Sequence, residues 1–163
     1  MADLNWITLI FGTFLFAVLL VISKIDFKEL KIPDGLNLVL ALSGIAYQWV
    51  TKIEFPIVPL AGGVLLFFCF YAVRSIHHRM RGIVGLGLGD VKMAGAAAVW
   101  LHPANLPVFV FLSSAAALIS MRLFNRRDFR FQTTGQTPFG PFLAIGLFVS
   151  WCLETFTTIG LLA

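Results

Sequence analysis

The sequence predicts an all-α integral membrane protein of about six transmembrane helices. Three observations carry that prediction. Apolar residues make up 59% of the 163-residue chain and charged residues 12%, far from the balance of a soluble globular domain. Six apolar runs each approach the ~20 residues needed to cross ~30 Å of hydrocarbon. The basic residues gather in alternate loops, as the positive-inside bias asks of a multi-pass protein.

The first run lies near Leu4–Ser23. Met1–Asn5 carries no Lys or Arg, and no small-x-small cleavage pattern follows the run, so it reads as a retained helix rather than a removed secretory signal. The others lie near Leu36–Val50, Pro56–Val73, Ile83–Leu101, Leu106–Leu123 and Phe139–Ile159; the second and fourth are the weakest of the six. No Pro/Ser-rich linker or low-complexity tract divides the chain, so residues 1–163 read as one domain.

Orientation follows from charge. Lys24, Lys28 and Lys31 lie between runs one and two, Arg74, Arg79 and Arg81 between three and four, and Arg122, Arg126, Arg127 and Arg130 between five and six. The opposite face offers Lys52 beside Glu54, which places the basic loops in the cytoplasm and the N-terminus outside. The net charge of +4 is then a topology signal, not a nucleic-acid one. On this scheme Trp6, Trp49, Trp100 and Trp151 fall near the outer ends of their spans, as interfacial anchors would. Cys69 and Cys152 lie inside spans without CxxC spacing, so both read as apolar packing residues, with no disulfide framework or zinc site.

Three polar segments carry the chemistry. The first runs from Ser23 to Gly35. Pro33 prevents a continuous helix there, and Asp34 reads as an N-cap of span two. Asp26, where span one leaves the membrane, reads by itself as a loop carboxylate paired with Lys24 or Lys28. The second segment, Gly85-Leu86-Gly87-Leu88-Gly89-Asp90-Val91-Lys92, sets glycines at every second position before a carboxylate. Gly87 and Gly89 allow close backbone approach, and the Lys-Ser/Thr pair of a phosphate-binding loop is missing. From Asp90 to the His102-Pro103 step is about 18 Å of helix, so Asp90 lies below the membrane surface, where an ionisable residue is a functional candidate. Lys92 reads as a cation that snorkels to lipid phosphate, with a lowering of Asp90's pKa as its other role. The third segment, Pro138-Phe139-Gly140-Pro141, reads as a stiff helix entry into span six, with exposure of backbone groups to an extended substrate as its other role.

These segments, in this order, resemble the type IV prepilin peptidase family of membrane aspartic proteases. Asp26 with the following Pro33-Asp34 looks like the family's first aspartate segment. Gly87-Leu88-Gly89-Asp90 matches its GxGD segment, and Pro138-Phe139-Gly140-Pro141 is similar to its PFGP segment. The resemblance implies an aspartic endopeptidase of the cytoplasmic membrane, without cofactor or metal, that removes the short basic leader of prepilins after a glycine preceding their hydrophobic stem. Carried over by position, Asp26 and Asp90 are the catalytic aspartates, while Gly87, Gly89, Lys92, Pro138, Phe139, Gly140 and Pro141 shape the site. The cysteine tetrad of the larger bifunctional members is absent, which argues against methyltransferase activity. The size is similar to the small monofunctional members that serve Flp-type (tight-adherence) pili, with archaeal preflagellin peptidases a further possibility. Pilus assembly machinery is an implied partner.

Two carboxylates a few ångströms apart in a poorly solvated site share one proton near neutral pH. Glu29 or Asp34 is the expected reader of a basic leader. His77 and His78 are adjacent among arginines and do not suggest a metal site, and Glu154 sits toward the outer end of span six. No HExxH or GxSxG motif is present, so zinc and serine protease chemistries lack their parts. Two rivals stand beside the peptidase: a small proton- or ion-coupled transporter using Asp26 and Asp90, and a non-enzymatic assembly subunit using Ala94 and Ala98 as a packing face. One geometric tension remains. From Asn5 to Asp26 is about 32 Å of helix, against about 18 Å from Asp90 to the outer edge, so the two carboxylates are expected at different depths, to meet when helices shift or substrate binds, unless span one starts outside the bilayer or span four extends through its glycines.

Overall fold

A computed structural model describes residues 6–52, 56–82, 85–123 and 138–162. Among them are six α-helices and no strand: α1 (Trp6–Glu29), α2 (Asp34–Lys52), α3 (Ile57–Arg81), α4 (Leu88–Ala98), α5 (Leu106–Leu123) and α6 (Gly140–Leu162), with a 3₁₀ turn at Pro103–Asn105. Four stretches are long and apolar enough to cross a membrane: Trp6–Glu29, Ile57–Met80, Pro103–Leu123 and Gly140–Thr157. The protein is an all-α, multi-pass membrane protein. Leu65, Phe68, Phe111, Leu118 and Phe156 turn outward, as side chains facing lipid do. Of the loop residues used for orientation, Glu54, Arg126, Arg127 and Arg130 lie outside the described residues, as do Met1–Asn5, Ile83 and Val84.

The breaks between helices follow from local chemistry. At the end of α1, Leu30 turns into the left-handed region at φ 53°, its N–H donating to the Asp26 carbonyl. Pro33 then closes the helical path, as expected, and its carbonyl receives the Leu36 and Asn37 amides that open α2. Gly82 ends α3 at φ 67°, its N–H bonded to the His78 carbonyl, a left-handed cap that costs glycine little.

The fourth apolar run departs from expectation. In place of a continuous span over 83–101, α4 is an 11-residue helix, about 16 Å long, too short to cross by itself. It is buried by its neighbours: Val91, Met93, Ala94, Ala97 and Ala98 are inaccessible, as α4 packs against α3, α2 and α6. Small residues permit this. A Cβ on Gly63 would lie 2.9 Å from the Gly95 carbonyl oxygen, and one on Gly95 would lie 3.2 Å from that of Gly63, so the backbones of α3 and α4 touch. Ala94 and Ala98 are therefore consumed within the chain and offer no face to an assembly partner.

The outer end of α4 stops inside the bundle, where its polar groups find protein partners. Gln48 Nε2 donates to the Val99 carbonyl at 3.3 Å, and Trp100 Nε1 to the Leu40 carbonyl at 2.8 Å. Glu154 accepts from the His102 N–H at 2.9 Å and from Asn105 Nδ2 at 2.8 Å. This removes the expected depth mismatch. His102, twelve residues beyond Asp90, is bonded to Glu154, fourteen residues beyond Gly140, and those two rises of about 18 Å and 21 Å nearly match. In the turn after α4 the Trp100 ring meets that of Phe11 at 6.3 Å, five residues inside the start of α1, so the turn stops short of that end and the premise of a full-length fourth span is what fails.

Two further expectations are corrected. Trp100 and Trp151 are core residues rather than interfacial anchors, because Gly44 and Gly12 leave room for their rings; Trp6 and Trp49 do remain exposed. Cys69 is exposed on α3 rather than packed, while Cys152 is half-buried, and both are free.

Helices α5 and α6 approach most closely at Gly146, where a Cβ would lie 2.9 Å from the Ser113 amide and 3.0 Å from the Phe109 carbonyl. Backbone cannot yield as a side-chain tip can, so Gly146→Leu is expected to destabilise the fold by roughly 1–3 kcal/mol through overpacking. Unfolding in mixed micelles against rising SDS fraction measures this, and an unchanged midpoint would contradict the close approach.

Candidate active site

Asp26 lies one turn before the end of α1, and its carboxylate is buried, with only 4% of the residue exposed. Its partner comes from the far end of the sequence: the Gly140 N–H donates to Asp26 Oδ2 at 2.9 Å. Gly140 opens α6. The Phe142 and Leu143 amides turn back to the Phe139 carbonyl and Pro141 has no N–H, so the free donor left to Gly140 goes to the carboxylate. A Cβ on Gly140 would stand 2.8 Å from the same oxygen, which is why glycine is needed there. Pro138, Gly140 and Pro141 are buried and Phe139 half-buried. The segment therefore holds Asp26 rather than exposing backbone to a substrate.

Asp90 occupies the first turn of α4, and only 8% of it is exposed. Its Oδ2 accepts the Gly87 N–H at 3.2 Å, the carboxylate half of a capping box. A side chain at 87 would displace that oxygen, since a Cβ there would lie 2.8 Å from it. Asp90 thus sits at the N-terminus of its own helix and Asp26 against that of α6, where backbone amides favour negative charge.

The two come together through Ile32. A Cβ on Gly89 would lie 3.1 Å from Ile32 Cβ, and one on Gly140 would lie 3.1 Å from Ile32 Cδ1. The loop between α1 and α2 is thereby wedged between the starts of α4 and α6. Asp26 and Asp90 line a single open cavity of about 500 Å³ with Glu29, Lys31, Asp34, Gly87, Gly89 and Lys92 among its walls. Helix α4 is not one of the spanning helices, and burial, followed by the Asp26 carboxylate across the cavity, pushes the Asp90 carboxyl up to about 7 against the pull of the Gly87 N–H. A pair of acids with one proton between them at neutral pH is what general acid–base chemistry on an amide requires.

Lys92 and Asp34 take roles other than those expected. Lys92 does not snorkel to lipid; its Nζ contacts both Asp34 oxygens, at 2.7 and 2.8 Å. Asp34 makes that pair instead of capping α2, because the Pro33 carbonyl already receives the first amides of the helix. The ion pair is partly solvated, so its role is to join α2 to α4 across the cavity mouth more than to add stability.

Four residues near the site were not singled out by sequence. Ile32 carries no signal beyond being apolar. Asn37, a polar residue inside an apolar run, donates to the Gly89 carbonyl at 3.4 Å. Arg74 donates to the Leu86 carbonyl, and the His77 ring lies against Gly85; as members of a basic loop they had been read for topology and metal binding alone.

The family model of the type IV leader peptidase family matches residues 13–121, which include both aspartates but not the 138–141 segment. Curated relatives agree. A prepilin leader peptidase/N-methyltransferase of Burkholderia pseudomallei (strain K96243) is 33% identical over 134 residues, 80% of this chain and 42% of that protein. A protein of the same description from Neisseria gonorrhoeae is 31% identical, with 78% and 45% covered. The type 4 prepilin-like proteins leader peptide-processing enzyme of Escherichia coli O78:H11 is 29% identical, with 80% and 46% covered. The matched stretch spans less than half the length of each of these relatives. No solved structure matches.

The raised Asp90 carboxyl has a consequence for stability. The folded protein keeps a proton that the unfolded chain releases near the ordinary value of 3.8, so stability falls as pH rises from about 4 to about 7 and is level above. Asp90→Asn abolishes this loss. The variant is expected to gain on the wild type across that window, by up to about 4 kcal/mol, in SDS unfolding measured at about pH 4.5 and about pH 8. A gap that does not change with pH would show that Asp90 is not held neutral.

Proposed function

The chain belongs to the type IV leader peptidase family, and on that premise we propose that it is a membrane aspartic endopeptidase that removes the leader of prepilins, with Asp26 and Asp90 as its catalytic pair. The observation that carries this reading is the convergence of two buried carboxylates, one from α1 and one from α4, on one open cavity. Each is held by a backbone N–H, so both are oriented before substrate arrives.

In the proposed reaction the ionised member of the pair takes a proton from a water, and the water oxygen attacks the scissile carbonyl. The protonated member donates to the carbonyl oxygen. On collapse of the tetrahedral intermediate one of its hydroxyls returns a proton to the ionised member and the expelled amine takes the proton of the other, so the pair again holds one proton. The pair exchanges roles within a cycle, so base and acid are assigned to the dyad rather than to either residue.

The finer reading has the enzyme in the cytoplasmic (inner) membrane, with the N-terminus outside and the cavity facing the cytoplasm, residues 1–163 forming a single peptidase domain. Its partners are prepilins, the bilayer and the pilus assembly machinery, and the Flp-type pilins of tight adherence are the favoured substrates. With two cysteines and no CxxC pair in its sequence, the proposal is for peptidase activity without N-methylation. Glu29, exposed on the wall of the cavity, is the better placed carboxylate to meet a basic leader, since Asp34 is occupied by Lys92.

Co-expression of a prepilin with wild type, Asp26→Asn or Asp90→Asn, with leader loss followed by mass, tests the pair. Each variant is expected to lose roughly 100-fold or more of the cleavage rate, the scale of a general acid–base residue, at equal membrane levels. Full cleavage by either one would remove it from the mechanism. Proton-coupled flux lost in both variants, with no cleavage by the wild type, would point to transport.

A further inference from the structure

Arg74 connects α3 to the glycine segment. Gly63 lies against Gly95, and Arg74 follows Gly63 by eleven residues, about three helical turns. It therefore returns to the same face of α3 about 16 Å nearer the cavity. There its guanidinium Nη1 donates to the Leu86 carbonyl. That carbonyl and the Gly87 N–H are the two ends of one planar peptide unit. The Gly87 N–H in turn is the donor to Asp90 Oδ2. One amide thus stands between a permanent cation and a buried carboxylate. A charged donor on the amide oxygen fixes the plane of the peptide and strengthens the bond its N–H makes. Gly85, the residue before Leu86, also lies against α3: a Cβ there would stand 2.6 Å from the His77 ring.

We infer that Arg74 is a positioning residue for Asp90: through the Leu86–Gly87 peptide it orients the carboxylate and favours its ionised form. The inference rests on the reading of Asp26 and Asp90 as the catalytic pair for its effect on turnover, but its effect on Asp90 stands apart from that. Among the described residues, the other charged and titratable groups around Asp90 are these. Asp26 comes from α1, with Glu29 and Lys31 beyond it on the cavity wall; Asp34 of α2 and Lys92 of α4 neutralise each other; α3 brings Arg74 and His77. On α6, Glu154 is engaged with His102 at the opposite end of α4. Among these, Arg74 is the cation bonded to the amide that serves Asp90.

The test compares Arg74→Ala, Arg74→Gln and Arg74→Lys in the full chain. Asp90 protonation is read by the carboxylic C=O infrared band that Asp90→Asn abolishes, titrated against pH, and prepilin cleavage is followed as a pH profile. With Arg74→Ala the band's midpoint moves to higher pH, the alkaline limb of cleavage moves with it, and kcat falls roughly tenfold, the scale of a lost hydrogen bond to a charged group, while KM changes little. Arg74→Lys returns the midpoint toward the wild type, and Arg74→Gln, a neutral donor, falls between. If the alanine variant fails to accumulate, the glutamine and lysine variants decide the matter. Midpoints that coincide in wild type, Gln and Lys variants overturn the inference, as does a loss of kcat with no movement of the limb, which would mark Arg74 as structural support alone. If the wild type cleaves no prepilin, the proposed function fails, while the infrared midpoints still judge the link to Asp90.

Discussion

The termination of α4 inside the bundle is the constraint on which the rest depends. Non-helical backbone at membrane depth must find its hydrogen bonds in protein, because lipid supplies none. The chain meets this by surrounding the turn after α4 with Gln48, the Leu40 carbonyl and the Glu154 carboxylate. Those bonds fix α4 axially against α2 and α6. Once the outer end of α4 is set, its length decides where its N-terminus falls, and that is beside the end of α1.

A short helix carried in this way has a further effect. In its first turn Leu88 faces outward while Asp90 is buried, so that carboxylate is shielded from bulk water, and the free amides of the helix N-terminus partly offset the cost. The same arrangement recurs at α6, whose first amide serves Asp26. Two helix starts and one helix end therefore meet around Ile32, and glycines at 89 and 140 are the places where a side chain would push them apart, while one at 87 would displace the Asp90 carboxylate. The glycine ladder is a packing solution before it is a substrate channel. Its price is flexibility in the chain, which Arg74 and His77 counter from α3.

The buried acid pair stands in tension with stability. Burial and then the Asp26 carboxylate raise the Asp90 carboxyl while the Gly87 N–H holds it down, and Arg74 bonds the other end of that same peptide. A pair poised near neutral pH emerges from that opposition, and it is the property acid–base chemistry uses. At the cavity mouth Lys92 and Asp34 are tied to each other.

The sequence by itself determined the all-α membrane class, since 59% apolar composition has no other home, and it marked Asp26, Asp90, Gly87, Gly89 and the 138–141 segment as special, because carboxylates, glycines and prolines in apolar surroundings stand out one residue at a time. Tertiary structure alone decided that α4 is too short to cross by itself, that Trp100 and Trp151 belong to the core, that Lys92 serves Asp34 and that the aspartates share a cavity. The physical reason is that each of these depends on which distant backbone a residue meets: Trp100 is buried because Gly44 makes room, and Asp26 is held by an amide 114 residues away. Composition and spacing report what a residue requires, and only packing supplies the partner that satisfies it.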